Sequence, residues 1–118
     1  MKDISDLIAW AETKYQTKAP RVIWTKSRPM SRSGESDGVY LDGGVMLIWE
    51  GVEDPEFVWL HEFHHHLRSI EGVPDPESDE PVINGLAQID LYLYKAGMVG
   101  DLDRYLAEKE AQALVGTK

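Results

Sequence analysis

Two histidines four residues apart, with a glutamate directly after the first, stand in the run Trp59-Leu60-His61-Glu62-Phe63-His64-His65-His66. On an α-helix, positions i and i+4 share a face, so His61 and His65 can bring both imidazoles to one point. Neutral imidazole is a good donor to a divalent transition ion, zinc above all. Glu62 follows where a carboxylate can polarise a water on that ion. The chemistry on offer is hydrolysis by an activated water. All four histidines of the chain lie in this one cluster.

A catalytic zinc site keeps three protein ligands and one exchangeable position. The chain has no cysteine, and no histidine follows His66. The third donor is then a carboxylate oxygen, unless His64 or an upstream residue serves. Asp75, Glu77, Asp79, Glu80 and Asp90 are the downstream candidates. Glu80 leads them because it opens a helical stretch, and a ligand belongs on a rigid element. Asn84 lies four residues further on the same face, placed to support Glu80 or a metal-bound histidine. His64, three residues from His61, is read as flanking the cleft or taking adventitious metal. His66 leans to the packing side and is expected as a partly buried, hydrogen-bonded histidine. Arg68 reads as a surface salt-bridge partner, with contact to a substrate carboxylate as the lesser role.

These side chains need elements to hold them. Ile4, Leu7, Ile8, Ala11 and Tyr15 recur at helical spacing behind Asp3, which predicts a helix over 4–16. Branched and aromatic residues predict strands over 21–25, 39–41 and 45–49. The polar stretch 27–37, with Pro29 and Gly34, reads as a loop. Asp42-Gly43-Gly44 reads as a hairpin turn, because glycine accepts positive φ cheaply. Pro55 suits a first helical position, and the motif helix is expected over 56–70. His61, His65 and Ser69 fall on one side of it. Trp59, Phe63, Leu67 and Ile70 fall on the other, giving a chemical face and a packing face. An acidic loop, 72–78, leads to a second helix over 79–95 with Val82, Ile83, Leu86, Ile89 and Leu93 apolar. Gly97 and Gly100 close it. Asp101 opens a last helix containing Leu102, Tyr105, Leu106 and Leu114. The four tryptophans are expected in packing roles, with Trp49 the best placed for a cleft role. The expected class is α+β: a small twisted sheet of about three strands packed on the metal helix, a glutamate helix and flanking helices. One domain is expected over 1–118.

The composition narrows the partners. Hydrophobic residues make up 42% of the chain, which favours a folded globule over a disordered one. The formal net charge of -9 argues against a nucleic-acid partner bound through a broad basic surface. Residues 1–11 carry Lys2, Asp3 and Asp6 and do not read as a secretory signal. No apolar run approaches the roughly 20 residues needed to cross a membrane. A cytoplasmic location is expected.

His61-Glu62-x-x-His65 followed by Glu80-x-x-x-Asn84 resembles the gluzincin zinc peptidases, in particular the minigluzincins and the ImmA/IrrE-type peptidase domain. The family order of helix, strand, hairpin, metal helix and glutamate helix matches across most of 4–96. Glu80-Pro81-Val82-Ile83-Asn84-Gly85-Leu86-Ala87 is similar to the Glu-x-x-Ala-Asn-x-x-Ala of the ImmA/IrrE type. It departs from that pattern at Ile83, where alanine is usual, and at Pro81. His64 stands where a glycine usually precedes the second histidine. The resemblance implies a minimal zincin with one catalytic zinc on His61, His65 and Glu80. It implies Glu62 as general base and later proton donor. It also implies that 45–50 is the rim strand, along which an extended peptide lies by β-augmentation. The activity implied is that of a zinc-dependent metalloendopeptidase acting on peptides or unfolded proteins. Tyr92, Tyr94, Tyr105, His64 and Arg68 are the candidates to steady its oxyanion. Minigluzincins resemble small latent precursors, so a tail over 101–118 that blocks the cleft is a further expectation. Two other readings stand beside it. One is a latent or inactive metal-binding domain that recognises a peptide or regulatory partner. The other is a hydrolase with a non-peptide substrate. Glu62 favours hydrolysis over mere binding, because a structural zinc needs no base.

Overall fold

Helical spacing near the start of the chain becomes α1, Ser5–Tyr15, in the computed structural model, which describes residues 3–97. Leu7 and Ala11 are fully buried on its inner side. Asp3 accepts bonds from both the amide and the hydroxyl of Ser5 and so braces the helix start. The branched run forms β1, Arg21–Thr25, as its composition requires. The stretch expected as plain loop does more. Met30–Ser31 (β2) and Gly34–Glu35 (β3) pair antiparallel, with Arg32 and Ser33 at the tip. The Ser31 hydroxyl donates to the Gly34 carbonyl at 2.8 Å, and Gly34 takes φ +113°.

Two longer strands follow, β4 (Gly38–Leu41) and β5 (Val45–Trp49). The turn between them carries Gly43 and Gly44 at φ +107° and +84°, a conformation that a side chain would strain. The sheet order is β1-β5-β4, with β1 parallel and β4 antiparallel to β5. The expected rim strand, 45–50, is therefore the central strand. The strand with an open edge beside the motif helix is β4. Pairing explains the exchange: β1 crosses over to take the far side of β5, a long-range choice that local pattern does not encode.

The motif helix α2 runs Pro55–Glu71 and stops at Gly72, which is left-handed at φ 70°. Pro55 is its first residue, as its fixed φ favours. Trp59 and Phe63 stack at 4.7 Å and are fully buried with Leu60, Met46, Ile48, Val52 and Leu7. The simple division into two faces fails in two ways. From Val58 to Leu67 every residue but His61 is buried, so α2 is the core rather than a surface helix. Ile70, expected to pack, is 52% exposed in the last turn of the helix. A single 3-10 turn, Glu77–Asp79, leads into α3, Glu80–Lys95. Ile83, Ala87 and Leu93 face inward, whereas Val82, Leu86 and Ile89 are exposed. The described part of the fold is thus α+β, a three-stranded sheet with three helices. None of these helices is long and apolar enough to cross a membrane. The helix expected from Asp101, Tyr105 and the blocking tail lie outside the described residues.

Candidate metal centre

α2 and the first residue of α3 bring three donors together. His61 Nε2 lies 2.9 Å from Glu80 Oε2, and His65 Nε2 lies 3.1 Å from Glu80 Oε1. The two imidazole nitrogens are 3.3 Å apart. Four bonds of about 2.0–2.1 Å in a tetrahedron put neighbouring donors about 3.3 Å apart, so the set fits a zinc-sized ion. Donor chemistry agrees, since two nitrogens and one oxygen are an ordinary catalytic zinc set. His61, His65 and Glu80 are the one group of three or more such side chains that converges in this way among the described residues. The Glu80 side chain is 37% exposed, so solvent reaches the remaining side of the cluster.

The histidines are aimed by what lies behind them. His65 Nδ1 is 2.6 Å from Asp75 Oδ2, and the Asn84 side chain bonds His61. A proton held on the outer nitrogen leaves the inner lone pair free for an ion. Burial pulls the His61 imidazole below its ordinary pKa, against the upward pull of Glu80, and so favours the neutral form that can ligate. Asp75, one of the candidate ligands, is thus a support to His65 instead. Arg68 holds that support in place. Its guanidinium donates to Asp79 Oδ2 at 2.8 Å and to the Pro74 carbonyl at 3.3 Å, and it sits 3.6 Å from Asp75 Oδ1. It clamps the loop that delivers Asp75 and Glu80, more deeply than a surface pair would.

Glu62 is buried beside the cluster, with its carboxylate 3.8 Å from His61 Nε2. Burial pushes its carboxyl up to about 8. The Tyr40 amide, which donates to it, works the other way, and the charges of Glu80 and Asp75 add to the rise. A cation between the three donors would draw it back down, as opposite charge always favours the carboxylate. Ladder phase explains the amide. Trp49 N–H donates to the Asp37 carbonyl, so the bonded pairs are 37/49, 39/47 and 41/45. Gly38 and Tyr40 therefore turn their peptide groups to the open edge. Ser36 occupies those of Gly38, donating to its carbonyl at 2.8 Å. Gly38 also permits the approach itself. A Cβ there would lie 2.6 Å from Val58 Cγ1 and 3.3 Å from Glu62 Cγ.

The remaining candidates go elsewhere. His64 does not flank the cleft. It is buried and bonds Asp90 Oδ2 at 2.7 Å, which removes Asp90 as a ligand too. Asp90 also binds Lys14 and Tyr15, a polar clamp joining α1, α2 and α3. His66 is buried against Tyr40 Oη at 2.9 Å. Asp79 is taken by Arg68, and Glu77 lines the cleft outside the donor cluster. Trp49 packs under Arg28, 4.5 Å from its guanidinium, away from the cleft. Tyr92 and Tyr94 do not line the cleft either. The cleft holds about 680 Å³ and runs between α2, the β4 edge and the β2–β3 hairpin. Arg32 at the hairpin tip was not singled out by sequence. Its only local signal is the turn residue Gly34, which says nothing of what the tip overhangs. No family model, curated protein or solved structure matches the chain.

Proposed function

We propose that the chain is a zinc-dependent peptidase of gluzincin type, cleaving an extended peptide or unfolded protein segment laid along the β4 edge. The observation that carries this reading is the convergence of His61 Nε2, His65 Nε2 and a Glu80 oxygen, with the buried Glu62 carboxyl beside them. Held by those residues, zinc would supply Lewis acidity, lowering the pKa of a water towards about 7 and polarising a carbonyl. The chain does the rest. Asp75 and Asn84 fix the two rings. The Tyr40 amide holds the Glu62 carboxylate on the cleft side of α2. Glu62 takes the proton from the attacking water and gives it to the amide nitrogen as the C–N bond breaks. With its N–H held by Glu62, the outward-facing carbonyl of Tyr40 offers an acceptor to a substrate strand. The cleft volume suits a few residues of such a strand. A buried carboxyl aimed at the donor cluster favours hydrolysis over plain metal storage, which has no use for one.

Glu62→Gln tests the reading. It keeps shape and burial but cannot accept the proton. Cleavage of an unfolded protein should fall by about 10²–10⁴-fold while zinc content is unchanged. Undiminished cleavage by a zinc-loaded Glu62→Gln protein would remove the mechanism.

A further inference from the structure

Hydrolysis of an amide passes through a tetrahedral anion, and a donor aimed at its oxygen is worth much of the rate. The groups expected to serve are engaged or distant. His64 faces Asp90, Arg68 is spent on Asp79 and Pro74, and Tyr94 packs edge-on to Trp10. Tyr92 is 67% exposed and does not line the cleft, and Tyr105 lies outside the described residues. Within the cleft wall, Tyr40 Oη is bonded to His66. The hydroxyls of Ser31 and Ser36 are bonded to backbone carbonyls, and that of Ser33 pairs with Ser31 Oγ at 3.2 Å.

One group remains. Arg32, at the tip of the β2–β3 hairpin, is the only cationic side chain lining the cleft among the described residues. Its guanidinium lies 3.9 Å from Glu80 Oε1 and 3.4 Å from the Asp75 carbonyl. It therefore stands at the solvent side of the ligand cluster, where a substrate carbonyl would enter. We propose that Arg32 is a catalytic residue of the proposed peptidase: it hydrogen-bonds the scissile carbonyl oxygen as that oxygen becomes negative. The inference rests on the peptidase reading.

The water oxygen bonds to the carbonyl carbon, and the C=O electron pair moves onto the oxygen that Arg32 faces. As the pair returns, the C–N bond breaks and the nitrogen takes the proton carried by Glu62. Arg32 suits this task on chemical grounds. Guanidinium stays charged at any working pH and presents a fork of donors to an oxygen. Its resting contact is weak, because the Arg32 side chain is 57% exposed and an exposed pair contributes little. Once Glu80 shares its charge with a cation, Arg32 loses little by leaving it.

The test compares the full-length wild type with Arg32→Ala and Arg32→Lys. Four quantities are measured: cleavage of an unfolded protein, zinc affinity by chelator competition, calorimetric affinity for a phosphinic tetrapeptide, and melting temperature. The phosphinic probe mimics the tetrahedral anion. Arg32→Ala should lower kcat by about 10²–10³-fold, leave KM within about twofold, and weaken the phosphinic peptide by a similar factor. Arg32→Lys should recover part of both losses. Zinc affinity should not weaken, and the melting temperature should not move. Equal phosphinate affinity in wild type and Arg32→Ala overturns the proposal. So does a variant whose only defect is lower stability with poorer zinc binding. A zinc-loaded wild type that neither cleaves nor binds the probe overturns the peptidase reading, and this inference with it. A wild type that does both, matched by Arg32→Ala, overturns the Arg32 role alone.

Discussion

Asp75 shows how one side chain can act at one remove. Its carboxylate is 2.6 Å from His65 Nδ1, and Arg68 fixes the loop that carries it. Carboxylates behind a ligating histidine set its tautomer and raise its basicity. Asp75→Ala should therefore weaken zinc binding by about 10–100-fold, read by competition with a chromogenic chelator, while the metal-free fold melts as before. An unchanged affinity would make Asp75 a loop anchor only. Asp75 was visible in the sequence as a metal-site acid, yet its role was not. Ligand and support differ by a few ångströms of loop path, and nothing in the order of residues sets that path. Glu62, His61 and His65 were legible because the helix alone fixes their relation. Glu80 was singled out on a weaker signal, its place at a helix start with Asn84 one turn on, and the loop before it decides that it comes within reach of the two histidines.

At the level of elements, the active surface depends on how closely β4 lies against α2. Gly38 makes that approach possible, and the Tyr40 amide on the same strand fastens Glu62. Gly38→Val should push the strand outward. The expected loss is about 1–3 kcal/mol of stability in urea unfolding, as for an overpacked core. Cleavage by the folded fraction should fall further than stability does. A variant that is less stable but fully active per folded molecule would sever the link between strand position and the base. Local signals gave the hairpin turn, β1, β5 and α2 nearly to the residue, because glycine, proline and periodicity act over a few positions. They could not give the sheet order, since β1 finds β5 across some twenty residues of chain. They also missed β2 and β3, whose two-residue strands are too short to show alternation.

Across the described fold, polar and apolar contacts share the task of holding α1 and α3 against α2. Asp90 is buried with His64, Lys14 and Tyr15, each from a helix other than its own. Burial alone would raise its carboxyl, but the bonds to His64, Lys14 and Tyr15 outweigh that and hold it below the usual carboxylate range. A depressed folded pKa gives stability that is full above the unfolded value near 4 and is lost as pH falls through the lower folded value. Asp90→Asn should flatten the acid side of the stability curve. Asp90→Ala should cost about 3–5 kcal/mol at neutral pH, because Lys14 is left buried without its partner. Urea unfolding across pH 2–7 measures both. An acid limb unchanged in Asp90→Asn would assign the pH dependence to other groups. This clamp was beyond the sequence. The histidine cluster drew His64 towards the metal, whereas helical phase turns it about 60° from His61 and about 100° from His65, towards α1 and α3.

The central claim is that His61, His65 and Glu80 hold one divalent ion with room for solvent. Crystals grown with zinc and measured on both sides of its absorption edge test this most directly. The account predicts one strong anomalous peak within about 2.0–2.3 Å of His61 Nε2, His65 Nε2 and a Glu80 oxygen, with Glu62 unbonded beside it. A peak elsewhere, or no peak at saturating zinc, would contradict it.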